Sequence, residues 1–362
     1  MTNKDISLIV LQHGLWGNHD HMKFLEKQIR HAYKDKDHLS ILNSDVNESK
    51  YTYDGIDICG RRLVIKIHEH IDELKSKGLR VTKVGMVGYS MGGLILRFAI
   101  GLLGKEGFFR TVEPVFFVTF ATPHLGSRLP AGSLFDRLFN FICGSMVSRS
   151  GDQLQLVDTY EDQQPLLSIL ADPEREFHKT LALFKARRTY ANVDNDRTVP
   201  YWTAALSDIN YFESMDDLEI SLDNAYPSVV TAFDRRDPTM FKKTGARFRW
   251  NTVLKIVFYI LSPVLVILFI LLVLSYIGYQ GMISRYRVAR ILAAQKKDAS
   301  TPLLQTHVKQ KKDYRRRSSG FSDEADRMME GNVLADALDA VNLPDRNDDH
   351  NVHHTSNHPA GA

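Results

Sequence analysis

Residues 84–93 read Val84-Gly85-Met86-Val87-Gly88-Tyr89-Ser90-Met91-Gly92-Gly93, and their order decides the fold. A short apolar run from Val81 to Val87 leads into Gly88-Tyr89-Ser90-Met91-Gly92, and a helix-like run follows from Gly93 to Leu103. This is a Gly-x-Ser-x-Gly pattern between a strand and a helix. In that setting a serine is held on a sharp turn with its hydroxyl exposed above the sheet. Side chains two residues before and two after such a serine would collide, and Gly88 and Gly92 carry none. Ser90 is the candidate nucleophile.

Outward from this turn, residues 1–235 alternate short β-branched or aromatic runs with helical stretches. Strands are expected at 6–11, 38–43, 81–87, 114–121 and 186–193, and helices at 20–34, 55–77 and 91–103. In the second helix Ile58, Leu63, Ile67, His70, Ile71 and Leu74 fall near helical spacing. The alternation predicts an α/β fold on a mostly parallel sheet. Residues 127–180 are less regular and are expected to form helices or loops over the sheet edge, where they could supply a lid.

The chain has 362 residues and is 44% hydrophobic, enough for a proper core. Its two cysteines, Cys59 and Cys143, have no metal spacing and form no disulfide framework, which favours a reducing compartment. Ile6 to Leu11 is too short for the apolar core of a signal peptide and reads as a first strand. The net charge of +3 is weak, and no nucleic-acid partner is expected.

Acyl transfer at a serine needs a base, an orienting acid and donors for an oxyanion. On this kind of sheet the order is Ser, then Asp or Glu, then His. The acid candidates are Asp194 and Asp196, in the polar turn that ends the run 186–193, and Asp196 is preferred. The alternative is that both carboxylates only stabilise the turn. The oxyanion donors are the backbone N–H of Met91 and that of Leu15, within His13-Gly14-Leu15-Trp16-Gly17 after the first strand. His13 reads as a pin for that loop. Downstream of Asp196 the histidines are His307, His350, His353, His354 and His358, all in polar sequence without a strand pattern. His124 lies upstream of the acid and breaks the usual order, so the base is unassigned. No cofactor and no metal is called for.

Four motifs then occur in order: His13-Gly14-Leu15-Trp16-Gly17-Asn18, Gly88-Tyr89-Ser90-Met91-Gly92-Gly93, Thr122-Pro123-His124-Leu125-Gly126-Ser127 and Asn195-Asp196-Arg197-Thr198-Val199-Pro200. Together they resemble the serine esterase family DUF676, with the nearest likeness to fungal membrane-associated, lipid-droplet lipases and phospholipases. The likeness covers about residues 5–235. It implies an α/β-hydrolase fold, hydrolysis of acyl-lipid esters, Ser90 as nucleophile, Asp196 as acid and Leu15 near the oxyanion. It also assigns His124 to a structural loop. The chain departs from the family in one respect: the family's histidine follows the membrane segment in a short ordered stretch, which is not recognisable here.

Beyond the catalytic domain at 1–235, residues 236–255 form a basic linker and 256–279 an uncharged apolar run. At about 1.5 Å per residue that run is long enough for a bilayer of about 30 Å. It reads equally as a single span or as a hairpin kinked at Pro263. Basic residues flank it on both sides, so charge gives no orientation. Residues 280–362 are polar and expected to be largely disordered, with a basic block near 309–317 suited to anionic headgroups. The expected partners are an acyl lipid and a membrane or droplet surface. The expected location is the endoplasmic reticulum or lipid droplets, with the catalytic domain in the cytosol. The alternatives are an esterase, thioesterase or acyltransferase of the same fold, and a pseudo-hydrolase serving as a membrane tether.

Overall fold

The computed structural model describes residues 4–34, 38–128, 148–194, 196, 198–212, 215, 218–235 and 252–297, the last helix without the side chains of 252–267, 269–270 and 294–297. Five strands, β1 (Lys4–Gln12), β2 (Leu39–Asn43), β3 (Leu79–Tyr89), β4 (Glu113–Phe120) and β5 (Ala186–Tyr190), form one sheet in the order β2-β1-β3-β4-β5. All its pairings are parallel. The expected strands are all present, with β5 stopping three residues short of its expected end. The central strands are apolar on both faces because helices cover both. Helix α1 (Lys23–Ala32) turns Leu25 and Ile29 onto Ile9, Leu11, Ile41 and Val87. Helices α2 (Ile56–Ser76) and α3 (Met91–Lys105) contribute Ile56, Leu63, Ile67, Leu94, Ile95, Leu96 and Phe98 to the larger core, with Leu8, Val10, Val84 and Met86 of the sheet.

Three short helices, α4 (Arg149–Leu154), α5 (Leu166–Ala171) and α6 (Glu176–Ala182), precede β5. They bring Leu154, Leu166, Leu167, Ile169, Leu170 and Phe177 to the larger core. The expected lid stretch is therefore partly core; its residues 129–147 lie outside the described residues. After β5 come α7 (Tyr201–Ala205) and an antiparallel pair, β6 (Leu218–Leu222) and β7 (Val230–Arg235), that sequence patterning did not anticipate. This pair is largely exposed, so it lacks the buried face that makes a strand legible.

Helix α8 (Thr252–Lys297) carries the apolar run and continues through Pro263 as one element. Among the described residues no helix is long and apolar enough to cross a membrane. The side chains of 256–267, half of the expected membrane run, lie outside the described residues. The expected polar tail from 280 begins instead as helix, and there Ser284 and Arg287 meet a buried carboxylate. Residues 298–362, including the basic block and every histidine after Asp196, lie outside the described residues, as does most of the basic linker.

The register sets the position of the site. Gln12 pairs with Gly88, Tyr89 with Phe120, and Phe120 with Tyr190, so the carboxyl ends of the strands finish on one edge. The chain passes from β1 to β2 on one side and to β3 on the other. The crevice beyond the carboxyl ends of β1 and β3 is the switch point at which open parallel sheets bind ligands.

Candidate active site

Ser90 follows β3 at that switch point, with φ +53° and ψ −133°. Such backbone costs of order 1–3 kcal/mol and survives only where its surroundings enforce it. Here they do. The Ser90 N–H donates to the Phe120 carbonyl at 2.8 Å. The Ser90 carbonyl accepts from the Thr122 hydroxyl at 2.8 Å and from the Gly93 N–H at 3.1 Å. A methyl group on Gly92 would stand 2.2 Å from the Gln12 carbonyl oxygen, and one on Gly88 would stand 2.5 Å from Gly93 Cα. The two glycines of the motif thus let the turn press against β1 and against the first turn of α3.

The loop after β1 lies directly against Ser90. A Cβ on Gly14 would stand 2.5 Å from Ser90 Cβ and 2.9 Å from its Oγ. Leu15, the next residue, is half-buried, and Met91 opens α3 as its first residue. Met91 is thus one of the first amides of the helix, which have no intrahelical acceptor, and the helix dipole makes that end favourable to negative charge. The structure therefore sets Gly14 against Ser90, with Leu15 next to Gly14 in the chain and Met91 next to Ser90. His13 is fully buried, and its Nδ1 donates to the Gly14 carbonyl at 3.0 Å. Burial holds its pKa below the ordinary value. It pins its own loop and does not reach out to Ser90 as a base.

Asp196 lies in the turn after β5, on the same edge of the sheet. Its Oδ1 accepts from the Thr198 N–H at 3.0 Å, the Thr198 hydroxyl at 2.9 Å and the Val199 N–H at 2.9 Å. Its Oδ2 accepts from Asn192 Nδ2 at 2.8 Å. Partial burial alone would raise its pKa, but these donors outweigh it and hold the group ionised, below the usual carboxylate range. A carboxylate has about four acceptor sites in all, so Oδ2 keeps room for one more donor such as an imidazole N–H. Asp194 is exposed.

His124 is buried, and both of its ring nitrogens have partners. Nε2 lies 2.9 Å from the Thr119 hydroxyl, and Nδ1 lies 3.4 Å from the Arg97 guanidinium. Arg97 can only donate, so Nδ1 accepts and Nε2 carries the hydrogen. The Thr119 hydroxyl donates onward to Thr189, which donates to the Ala204 carbonyl. Burial first, and the Arg97 charge second, push the His124 pKa down to about 3. It is a neutral strut that ties α3, β4, β5 and α7 together. Among the described residues no histidine forms a hydrogen bond with the Ser90 hydroxyl.

The supporting residues that sequence reasoning did not single out are Thr122, which clamps the Ser90 carbonyl, and Thr203, which receives the Leu125 N–H and donates to the Gly126 carbonyl. Thr122 stood within a recognised motif, but nothing in the pattern says that its hydroxyl reaches back 32 residues. A separate cavity of about 370 Å³, lined by His19, Glu26, Asn43, Asp45, Lys66 and His70 among others, does not include Ser90. Two of its four acids are paired, Glu26 with Arg30 and Asp45 with Lys66.

The family model described as "Putative serine esterase (DUF676)" matches residues 2–209. The chain belongs to this family. Two relatives are the "Putative lipase ROG1" of Saccharomyces cerevisiae and the "Putative lipase C4A8.10" of Schizosaccharomyces pombe. The first is 32% identical over 61% of this chain and 31% of its own length. The second is 27% identical over 56% of this chain and 26% of its own. The chain thus spans under a third of either relative. Among solved structures, the rice cell wall degrading esterase LipA of Xanthomonas oryzae superposes with a TM-score of 0.32 at 13% identity, over 59% of this chain and 72% of that one. That likeness is too loose to carry an argument. The family match covers the Ser90 turn, the Gly14-Leu15 loop and the Asp196 turn alike, and so places the chain among serine hydrolases.

Proposed function

We propose that this chain is a membrane-associated lipase or phospholipase that hydrolyses acyl esters of lipids through an acyl-enzyme on Ser90. The observation that carries the reading is the Ser90 turn, strained at positive φ and backed by Gly14 at van der Waals limit. The Ser90 hydroxyl attacks the acyl carbonyl. The oxyanion that forms is received by the N–H groups of Leu15 and Met91, donors fixed before the reaction begins. A base takes the hydroxyl proton and returns it to the leaving alcohol, and Asp196 orients that base through Oδ2.

Two features favour a water-insoluble substrate. The rim of the sheet edge is apolar and exposed at Trp16, Tyr89, Leu125, Tyr190 and Leu206. Helix α8 exposes Leu268, Leu271, Leu272 and Tyr276 within its uncharged run. An apolar helix held at a lipid surface would keep the crevice where acyl chains lie. The endoplasmic reticulum or a lipid droplet, with the catalytic domain facing the cytosol, fits the buried free thiol of Cys59. The test is hydrolysis by membranes holding the full chain. Phospholipid or triacylglycerol vesicles should release free fatty acid with wild type and not with Ser90→Ala. Turnover of soluble short esters alone, or transfer to an added alcohol without release, would overturn the lipid assignment.

A further inference from the structure

Asp54 is fully buried, and two of the groups that hold it, Ser284 and Arg287, lie 230 and 233 positions further along the chain. Arg62 of α2 donates to its Oδ2. From α8, Arg287 Nε donates to Oδ2 at 2.9 Å and Nη2 to Oδ1 at 2.5 Å, while the Ser284 hydroxyl donates to Oδ1 at 2.7 Å. Ser284 is itself fully buried, and the Arg287 guanidinium lies 5.0 Å from the Tyr51 ring. Arg287 also reaches the Lys50 carbonyl at 3.3 Å. Helix α8 is thus bolted to the 3-10 segment Ser49–Asp54.

The same segment holds the loop after β1. Thr52 accepts from the Trp16 N–H at 3.1 Å, Tyr53 accepts from Trp16 Nε1 at 2.7 Å, and the Ser49 N–H donates to the Gly17 carbonyl at 2.9 Å. Trp16 has φ +57° and directly follows Leu15, so anchoring Trp16 restricts how far Leu15 can move. Three adjacent elements form one chain of contacts: α8, the segment Ser49–Asp54, and the loop 13–17 beside Ser90.

We propose that Asp54 and Arg287 are positioning residues that hold the Leu15 amide in place through Tyr53 and Trp16, so that docking of the apolar helix α8 completes the oxyanion site. The inference rests on the reading of Ser90 and Leu15 given under Proposed function. A buried carboxylate that loses one of its cations is poorly compensated, which loosens the segment it organises. Misplaced oxyanion donors lower turnover more than substrate binding.

The test uses the full chain in detergent with four variants: Arg287→Ala, Arg287→Lys, Tyr53→Phe and, as a neighbour on the same helix, Arg285→Ala. Hydrogen exchange at amides 13–17 and turnover of a soluble ester are both measured. Arg287→Ala should speed exchange at 13–17 roughly tenfold and lower kcat by a similar factor, with KM within about twofold. Arg287→Lys should recover much of both, Tyr53→Phe should move both in the same direction, and Arg285→Ala should move neither. If Arg287→Ala does not fold, Tyr53→Phe, which removes a single oxygen, decides the matter. Unchanged exchange at 13–17 in folded Arg287→Ala or Tyr53→Phe would overturn the proposal. So would a fall in stability with kcat unchanged. If wild type hydrolyses nothing, exchange still decides: a loosened loop upholds the clamp while the hydrolase reading fails.

Discussion

The two halves of the site are held by different means. Around Ser90 the backbone itself is fixed by close approach: Gly14, Gly88 and Gly92 leave no room for a Cβ, and the Ser90 amide and carbonyl are both tied down. Around Asp196 the restraint is a set of side-chain hydrogen bonds within one turn, at a half-exposed position. Ser90 is therefore held rigidly by packing, and Asp196 by a local network that can yield. Substitutions on the first side should act through geometry and cost activity steeply. Substitutions on the second should cost stability and activity together.

The largest break in that comparison is Ser90→Ala, which should lower ester hydrolysis by at least about 10⁴-fold while leaving the melting midpoint unchanged or raised. Next is Gly14→Ala. The added methyl meets Ser90 Cβ and Oγ, so turnover should fall roughly 100-fold in a protein that still folds, checked by kcat alongside circular dichroism. Asp196→Ala leaves the Thr198 and Val199 amides without their acceptor. It should destabilise by about 1–3 kcal/mol in urea titrations and lower kcat, whereas exposed Asp194→Ala should change both by little.

A smaller effect separates the site from its strut. His124 stays neutral in the folded protein down to about pH 3, but in the unfolded chain it binds a proton below about 6.5. The unfolded state then holds more protons, so stability must fall as pH drops from 6.5 toward 3, by up to about 1.4 kcal/mol per unit. His124→Gln should flatten that slope in urea titrations run at pH 7, 6 and 5. An unchanged slope would show that other groups carry it.

Much of this was legible in the sequence because it rests on local pattern. Ser90, Gly88 and Gly92 announce the turn, and apolar runs place all five parallel strands to within a few residues. The Leu15 loop was legible because a glycine-rich stretch after a first strand has few other uses. What escaped depends on partners distant in the chain. Asp54 gives no sign that it will be buried by residues 230 positions away. Ser284 and Arg287 do fall three apart, on one helix face, and that spacing in a polar stretch was the available signal. The fate of His124 turned first on burial and then on Arg97, a charge in the apolar middle of α3, whose guanidinium pKa burial lowers to about 10. A buried guanidinium asks for acceptors, and Arg97 finds them in the Leu170 carbonyl at 2.9 Å and this imidazole at 3.4 Å.

The central claim is that Ser90 is an activated nucleophile facing preformed oxyanion donors. The most direct measurement is covalent labelling of the full chain with a fluorophosphonate, located by mass spectrometry, with and without added imidazole to stand in for a base. The account predicts one equivalent on Ser90, none on Ser90→Ala, and slow labelling of Gly14→Ala. Folded wild-type protein that stays unlabelled under both conditions would contradict it.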